Sequence, residues 1–151
     1  GRSFPSTSQV AVQANESVDA SRYTTEEFIE SRFPVDVRYE FLIDSEVTAA
    51  GGRGERLRAL SKRFAWLPVG RSLDFFVERC DVPKPYTLYW KVRNVGPEAE
   101  KRGIRGQLML DGGNERRSEK TSFHGDHYVE AYVVKDEVCV ARSKIDVRIN
   151  E

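Results

Sequence analysis

The stretch Tyr86–Val95 reads Tyr-Thr-Leu-Tyr-Trp-Lys-Val-Arg-Asn-Val and runs into Gly96. An extended backbone sends successive side chains to opposite faces. Tyr86, Leu88, Trp90 and Val92 then form an apolar face built on a tryptophan, which must lie on a core. Thr87, Tyr89, Lys91 and Arg93 form the other face, with one aromatic and two cations. Asn94-Val-Gly96 supplies turn chemistry, because Asn and Gly both tolerate positive φ. The stretch predicts a central strand of an antiparallel sheet, and its outward face is the first place to look for a binding function.

The rest of the chain supplies partners for such a strand. Residues 1–22 are rich in Ser, Gln, Ala, Asn and Val without an apolar period, which predicts a flexible linker ahead of a single domain at 23–151. Thr24-Thr25-Glu26-Glu27 has the form of a capping box and predicts a short helix to Arg32, stopped by Pro34. Val35–Ile43 alternates and predicts a half-buried strand. Gly51–Gly54 leads into a predicted helix over Glu55–Phe64, with Leu57, Leu60 and Phe64 on one face. A glycine loop before a helix can cradle a phosphate. Here no Lys-Ser/Thr pair follows and Glu55 would repel an anion, so the loop reads as a plain connection.

Further strands are predicted at Ser72–Arg79, Ile104–Leu110, His127–Val134 and Val138–Ile149. Asp111–Asn114 and Lys135–Glu137 read as turns, and Arg116, Arg117 and Lys120 as a basic solvated loop. In the last strand the apolar phase slips between Val140 and Ile145, which predicts a β-bulge near Ser143. About six strands separated by turn signals predict a mainly β fold, an antiparallel immunoglobulin-like β-sandwich with one or two short helices.

Charge and composition narrow the function. Lys and Arg total 24 and so do Asp and Glu, so no bulk field draws the chain to nucleic acid or membrane. No apolar run approaches the ~20 residues of a membrane span, and the expectation is a soluble, cytoplasmic protein without a membrane partner. Cys80, Trp90 and Cys139 follow the order of an immunoglobulin disulfide framework. Glu137 stands where that framework has a tyrosine, and Cys80 ends its strand beside Asp81-Val82-Pro83, so the reading favours free thiols. His124-Gly-Asp-His127 could start a zinc site, but no further ligands cluster and Gly-Asp is ordinary turn chemistry. Neither a nucleophile beside a base nor a carboxylate pair at metal-binding spacing stands out, since Asp44 and Glu46 read as the end of a strand. The expectation is a non-enzyme without a cofactor.

If the strands around 86–94, 104–110 and 127–134 are neighbours, their outward residues share one face: Tyr89, Lys91, Arg93, Arg105, Gln107, Tyr128, Glu130 and Tyr132. Rings offer stacking surface and cations offer phosphate partners, so this face is the candidate ligand-binding site. The same residues also make ordinary cross-strand pairs. A tyrosine- and arginine-rich face equally suits a protein-interaction or oligomerisation module.

Tyr-Trp-Lys-Val-Arg-Asn (89–94), Ile-Arg-Gly-Gln (104–107), Thr-Ser-Phe-His-Gly-Asp-His-Tyr-Val-Glu (121–130) and Val-Cys-Val-Ala-Arg (138–142) together resemble a bacterial family, the adenylyl/guanylyl cyclase and SMODS C-terminal sensor domain. The resemblance runs from about Phe28 to Ile149. It implies a module behind a second-messenger synthetase in antiphage defence, either a nucleotidyl cyclase or a nucleotidyltransferase related to the cGAS enzymes. It further implies that the module senses an infection-linked ligand, with nucleotide, nucleic acid and phage protein as the candidates, and carries no catalytic residues of its own.

Overall fold

The computed structural model describes residues 26–49, 51–95, 106–122 and 124–150. The predicted linker at 1–22, Thr24 of the capping box, Ile104 and Arg105 lie outside them. Eight strands are present among the described residues: β1 (Phe41–Thr48), β2 (Glu55–Arg56), β3 (Ser72–Cys80), β4 (Thr87–Arg93), β5 (Leu108–Leu110), β6 (Arg116–Lys120), β7 (Gly125–Lys135) and β8 (Val138–Ile149). One short helix, α1 (Leu57–Ser61), follows β2. The strands form two antiparallel four-stranded sheets, ordered β2-β1-β3-β6 and β5-β4-β7-β8. In this order β1, β3 and β6 take the places of the A, B and E strands of an immunoglobulin domain, and β5, β4, β7 and β8 those of C′, C, F and G.

The Trp-bearing stretch is the interior strand β4, hydrogen-bonded to β5 on one side and β7 on the other. Its apolar face meets the opposite sheet in the main core, where Leu88 and Trp90 pack with Ile43, Phe75, Val129 and Ile145. Full burial of side chains of this size stabilises the fold by about 1.5–3 kcal/mol each. The indole Nε1 donates to Asp111 Oδ1 at 2.9 Å. The other oxygen of Asp111 accepts from the amides of Gly113 and Glu115, so one carboxylate ties the β5–β6 turn to the core tryptophan.

Several local expectations give way to tertiary packing. The predicted helix ending near Arg32 is a single 3-10 turn at Ile29–Ser31, because Ile29 is drawn into a pocket and the chain then extends. Glu27 does not close a capping box there; its carboxylate accepts from Leu108 N and Arg32. The alternating stretch Val35–Ile43 is divided between two places. Its first half runs along the edge of β8, with Asp36 N donating to Cys139 O and Arg38 N to Val140 O, while the strand proper begins at Phe41. Asp44 is consequently buried mid-strand instead of ending one, and accepts from the amides of Ser45 and Arg58. Arg58 N lies in the first turn of α1, so the carboxylate satisfies a helix-end donor.

The second predicted helix shortens to α1, which buries Leu57 and Leu60 but leaves Phe64 57% exposed. The basic cluster at Arg116–Lys120 is strand β6, paired with β3, and not a solvated loop. β2 and β6 make eight strands where six are predicted; the first is two residues long and the second almost wholly polar. The bulge in β8 sits at Val140 rather than near Ser143, since Val133 pairs with Ala141 and Val134 with Cys139. It lets Val140 and Ala141 both enter the main core and turns Cys139 to the outer face. Both cysteines are free thiols.

Candidate functional site

The candidate face is the outside of the β5-β4-β7-β8 sheet, and the strand register sets it out row by row. Tyr89 pairs with Tyr132, which pairs with Arg142. Lys91 pairs with Glu130, which pairs with Lys144, and Arg93 pairs with Tyr128, which pairs with Asp146. Tyr89, Lys91, Arg93, Tyr128, Glu130 and Tyr132 therefore share one continuous surface, as their alternation predicts. Gln107 is exposed just before β5, whereas Arg105 is outside the described residues. Gly106 lies against this surface so closely that a Cβ there would stand 3.0 Å from Lys91 Cε and 3.2 Å from Arg93 Cδ.

The expectation that these residues face solvent needs correction. Residues 26–35 cross the sheet and cover part of the face. Lys91 retains 2% of its exposure and Tyr132 4%. Ile29 inserts into a second apolar cluster with Leu108, Tyr132, Val134 and Cys139, edged by Phe33, Val35 and Tyr89. The Phe33 and Tyr89 rings lie 5.8 Å apart at 47°. Two sets of bonds fasten the covering segment: Glu27 N donates to Gly106 O at 2.8 Å, and Cys139 N donates to Pro34 O at 2.9 Å.

Electrostatics centre on Glu26. Its Oε2 accepts from Lys91 Nζ at 3.0 Å and its Oε1 is ion-paired with Arg93 Nε at 3.2 Å, so a single carboxylate bridges both cations of β4. Phe28, itself half exposed, places its ring centroid 4.5 Å from the Lys91 ammonium. A charge buried this deeply is tolerated only when paired, and removing one partner of such a pair costs about 3–5 kcal/mol. Glu130 Oε1 accepts a 2.7 Å bond from Tyr132 Oη. Burial, reinforced by that bond, pushes the Tyr132 phenol far above its ordinary value. Tyr128 is shifted upward as well, by burial and then by the nearby charges of Glu130 and Glu26, and the Lys144 ammonium stands 4.3 Å from its ring centroid.

One anionic group sits between Lys91 and Arg93, beside aromatic surface. The anionic group in place is the protein's own Glu26. Sequence reading missed Glu26, Phe28, Ile29 and Phe33 as parts of the site because they fall in an aperiodic stretch. One available signal is the apolar run Ala131–Val134, all buried, since an unbroken run marks a strand covered on both faces.

His127 is buried in β7 and its Nδ1 accepts from Val95 N at 2.7 Å, a structural bond. No group of three metal-ligating side chains occurs among the described residues. No helix among them is long and apolar enough to cross a membrane.

No curated protein matches the chain. The family of the Adenylyl/Guanylyl and SMODS C-terminal sensor domain matches residues 23–150. That span takes in both sheets, the covering segment and the face beneath it. The chain therefore belongs to the Adenylyl/Guanylyl and SMODS C-terminal sensor domain family, modules that sense at the C-terminus of cyclase and SMODS-type proteins.

Proposed function

We propose that this domain is the non-catalytic regulator of a bacterial second-messenger synthetase, a nucleotidyl cyclase or cGAS-like nucleotidyltransferase, acting in antiphage defence in the cytoplasm. Its input is an infection-linked anionic ligand, a nucleotide or nucleic acid, taken on the face of Tyr89, Lys91, Arg93, Gln107, Tyr128, Glu130 and Tyr132. The observation that carries this reading is the Glu26 carboxylate shared by Lys91 and Arg93. A ligand phosphate offers both cations the same charge-assisted bonds. Taking them displaces Glu26 and loosens the segment through which residues 1–25 join the sandwich, which changes how the attached synthetase is held. A ligand shifts such an equilibrium only by its differential affinity for the two states, and competition for one pair of cations supplies that difference.

The test uses the synthetase carrying this domain, with messenger accumulation measured during phage challenge. Arg93→Gln, which keeps a hydrogen-bonding side chain at a partly exposed position, abolishes the response while the fold and basal synthesis persist. Glu26→Gln removes the competing charge and makes the response appear at a lower signal. A folded Arg93→Gln protein with a full response defeats the proposal. A protein-binding role has one observation of its own: Phe28 and Arg32 are both exposed on the covering segment, in the composition of an interface anchor. Salt separates the two readings, because phosphate-driven binding weakens steeply with ionic strength and an aromatic interface does not.

A further inference from the structure

The loop between α1 and β3 exposes two large aromatics on a rigid backbone. Phe64 is 57% and Trp66 46% exposed, although Leu67 between Trp66 and Pro68 is buried. The backbone is pinned on both sides: Leu67 N donates to Arg148 O at 2.7 Å, Asn150 N to Leu67 O at 2.8 Å, and Thr121 Oγ1 to Pro68 O at 3.1 Å. These rings are thus presented outward by a fixed loop. Between them opens a cleft of about 360 Å³ floored by Leu60 and Leu67 and rimmed by Arg53 and Arg71. Among the described residues neither guanidinium has a carboxylate partner. The carboxylate that also lines the cleft, Glu55, is held by Arg63 at 2.8 Å, and Arg63 in turn lies 5.3 Å from the Phe64 ring centroid.

We propose that the cleft between Phe64 and Trp66 binds a nucleoside phosphate, with the base against the Trp66 indole and the phosphates on Arg53 and Arg71. The volume suits a small ligand. A flat, rigid indole gives sequence-tolerant stacking surface, and guanidinium groups grip phosphate oxygens in a fork. The site goes beyond the sensing face: it lies at the α1–β3 loop, is open without release of residues 26–35, and uses none of the residues of that face.

The chain has two tryptophans, and Trp90 is 1% exposed, so fluorescence quenching reports on Trp66. The experiment titrates the protein with ATP, GTP, CTP and UTP separately, with inorganic triphosphate as the base-free control. The expected result is saturable quenching by at least one nucleotide. Triphosphate alone does not quench but competes. In the double variant Arg53→Ala/Arg71→Ala the dissociation constant rises by about tenfold or more and its salt dependence flattens. Arg53 is exposed and Arg71 half-buried, and an unchanged circular dichroism spectrum shows that the variant folds. Absence of saturable quenching by all four nucleotides overturns the proposal. So does quenching that the double variant leaves unchanged, or quenching by acidic aromatic peptides but by no nucleotide, which gives the cleft to a protein partner. The Arg93→Gln variant retains this binding, so the two sites fail separately.

Discussion

At the scale of single residues, Trp90 and Asp111 link the core to a surface turn. Replacing Trp90 by alanine removes a 1% exposed indole and should cost about 3–5 kcal/mol, the range for a core aromatic. Asp111→Ala should cost about 1–3 kcal/mol, because the indole N–H is left buried without its acceptor and the turn amides of Gly113 and Glu115 lose theirs. Denaturant unfolding of the two variants and the double mutant checks both values. If Asp111→Ala costs as much alone as on a Trp90→Phe background, the indole bond contributes nothing. The tyrosines make a second prediction. The phenols of Tyr86, Tyr128 and Tyr132 are all held above their ordinary value, with burial the largest cause in each; Tyr86 Oη also donates to Glu115 at 2.7 Å. Unfolded phenols ionise near pH 10, whereas these remain protonated in the fold. Their contribution is therefore complete below about pH 10 and is lost as pH rises above it. Melting temperature should fall across that range, with phenolate absorbance appearing late and together with unfolding. Smooth titration of all six tyrosines near the ordinary value, without unfolding, contradicts this.

At the scale of elements, what the sequence makes legible is what a strict period of two can carry. β4 and β3 each hold an alternating run, as do β7 before Ala131 and β8 beyond its bulge, and placing Tyr89, Lys91 and Arg93 on one side of β4 needs no knowledge of the partners. The row-by-row match of β4 with β7 follows once those faces must both point outward. Shorter elements carry no such pattern. β2 spans two residues, and Arg116–Lys120 is so polar that only pairing with β3 marks it as a strand. Val35–Ile43 alternates throughout, yet a period does not say which sheet a residue serves, and the chain leaves the edge of β8 and enters β1 within that run. The cover over the candidate face is legible least of all. It depends on one isoleucine in a pocket and one carboxylate between two cations, both contacts between residues far apart in sequence. Local propensity at Thr24–Glu27 favours a helix, and the buried position of Ile29 overrides it. The aromatic pair Phe64 and Trp66 was obscured for the opposite reason: Phe64 continues a helical apolar stripe in sequence, but the helix has ended before it.

At the scale of the whole molecule, the sandwich disposes of its open edges in ways that differ between the sheets. A free edge strand is a template for pairing with another chain. In the sheet β2-β1-β3-β6 the outer strands are a two-residue β2 and a β6 that carries Arg116, Arg117 and Lys120, and short or charged edges resist such pairing. The sheet β5-β4-β7-β8 relies on added chain instead. Glu27 closes onto Gly106 ahead of β5, residues 34–38 bond to Cys139 and Val140 at the start of β8, and Leu67 bonds to Arg148 and Asn150 at its end. Residues 26–40 thus seal an edge and cover the apolar cluster of Leu108, Tyr132, Val134 and Cys139 at once. A chain beginning at Phe41 should lose both functions together. Compared with a control beginning at Glu26, it should bind a hydrophobic dye, melt at a lower temperature and sediment as larger species as concentration rises. Substituting Ile29→Asp in the control chain should reproduce the dye binding with less association, because the apolar pocket loses its plug while the β8 edge stays bonded. If the shortened chain melts and sediments like its control, the segment is an ornament on a sandwich already complete, and displacement of Glu26 could not be felt by anything attached to it.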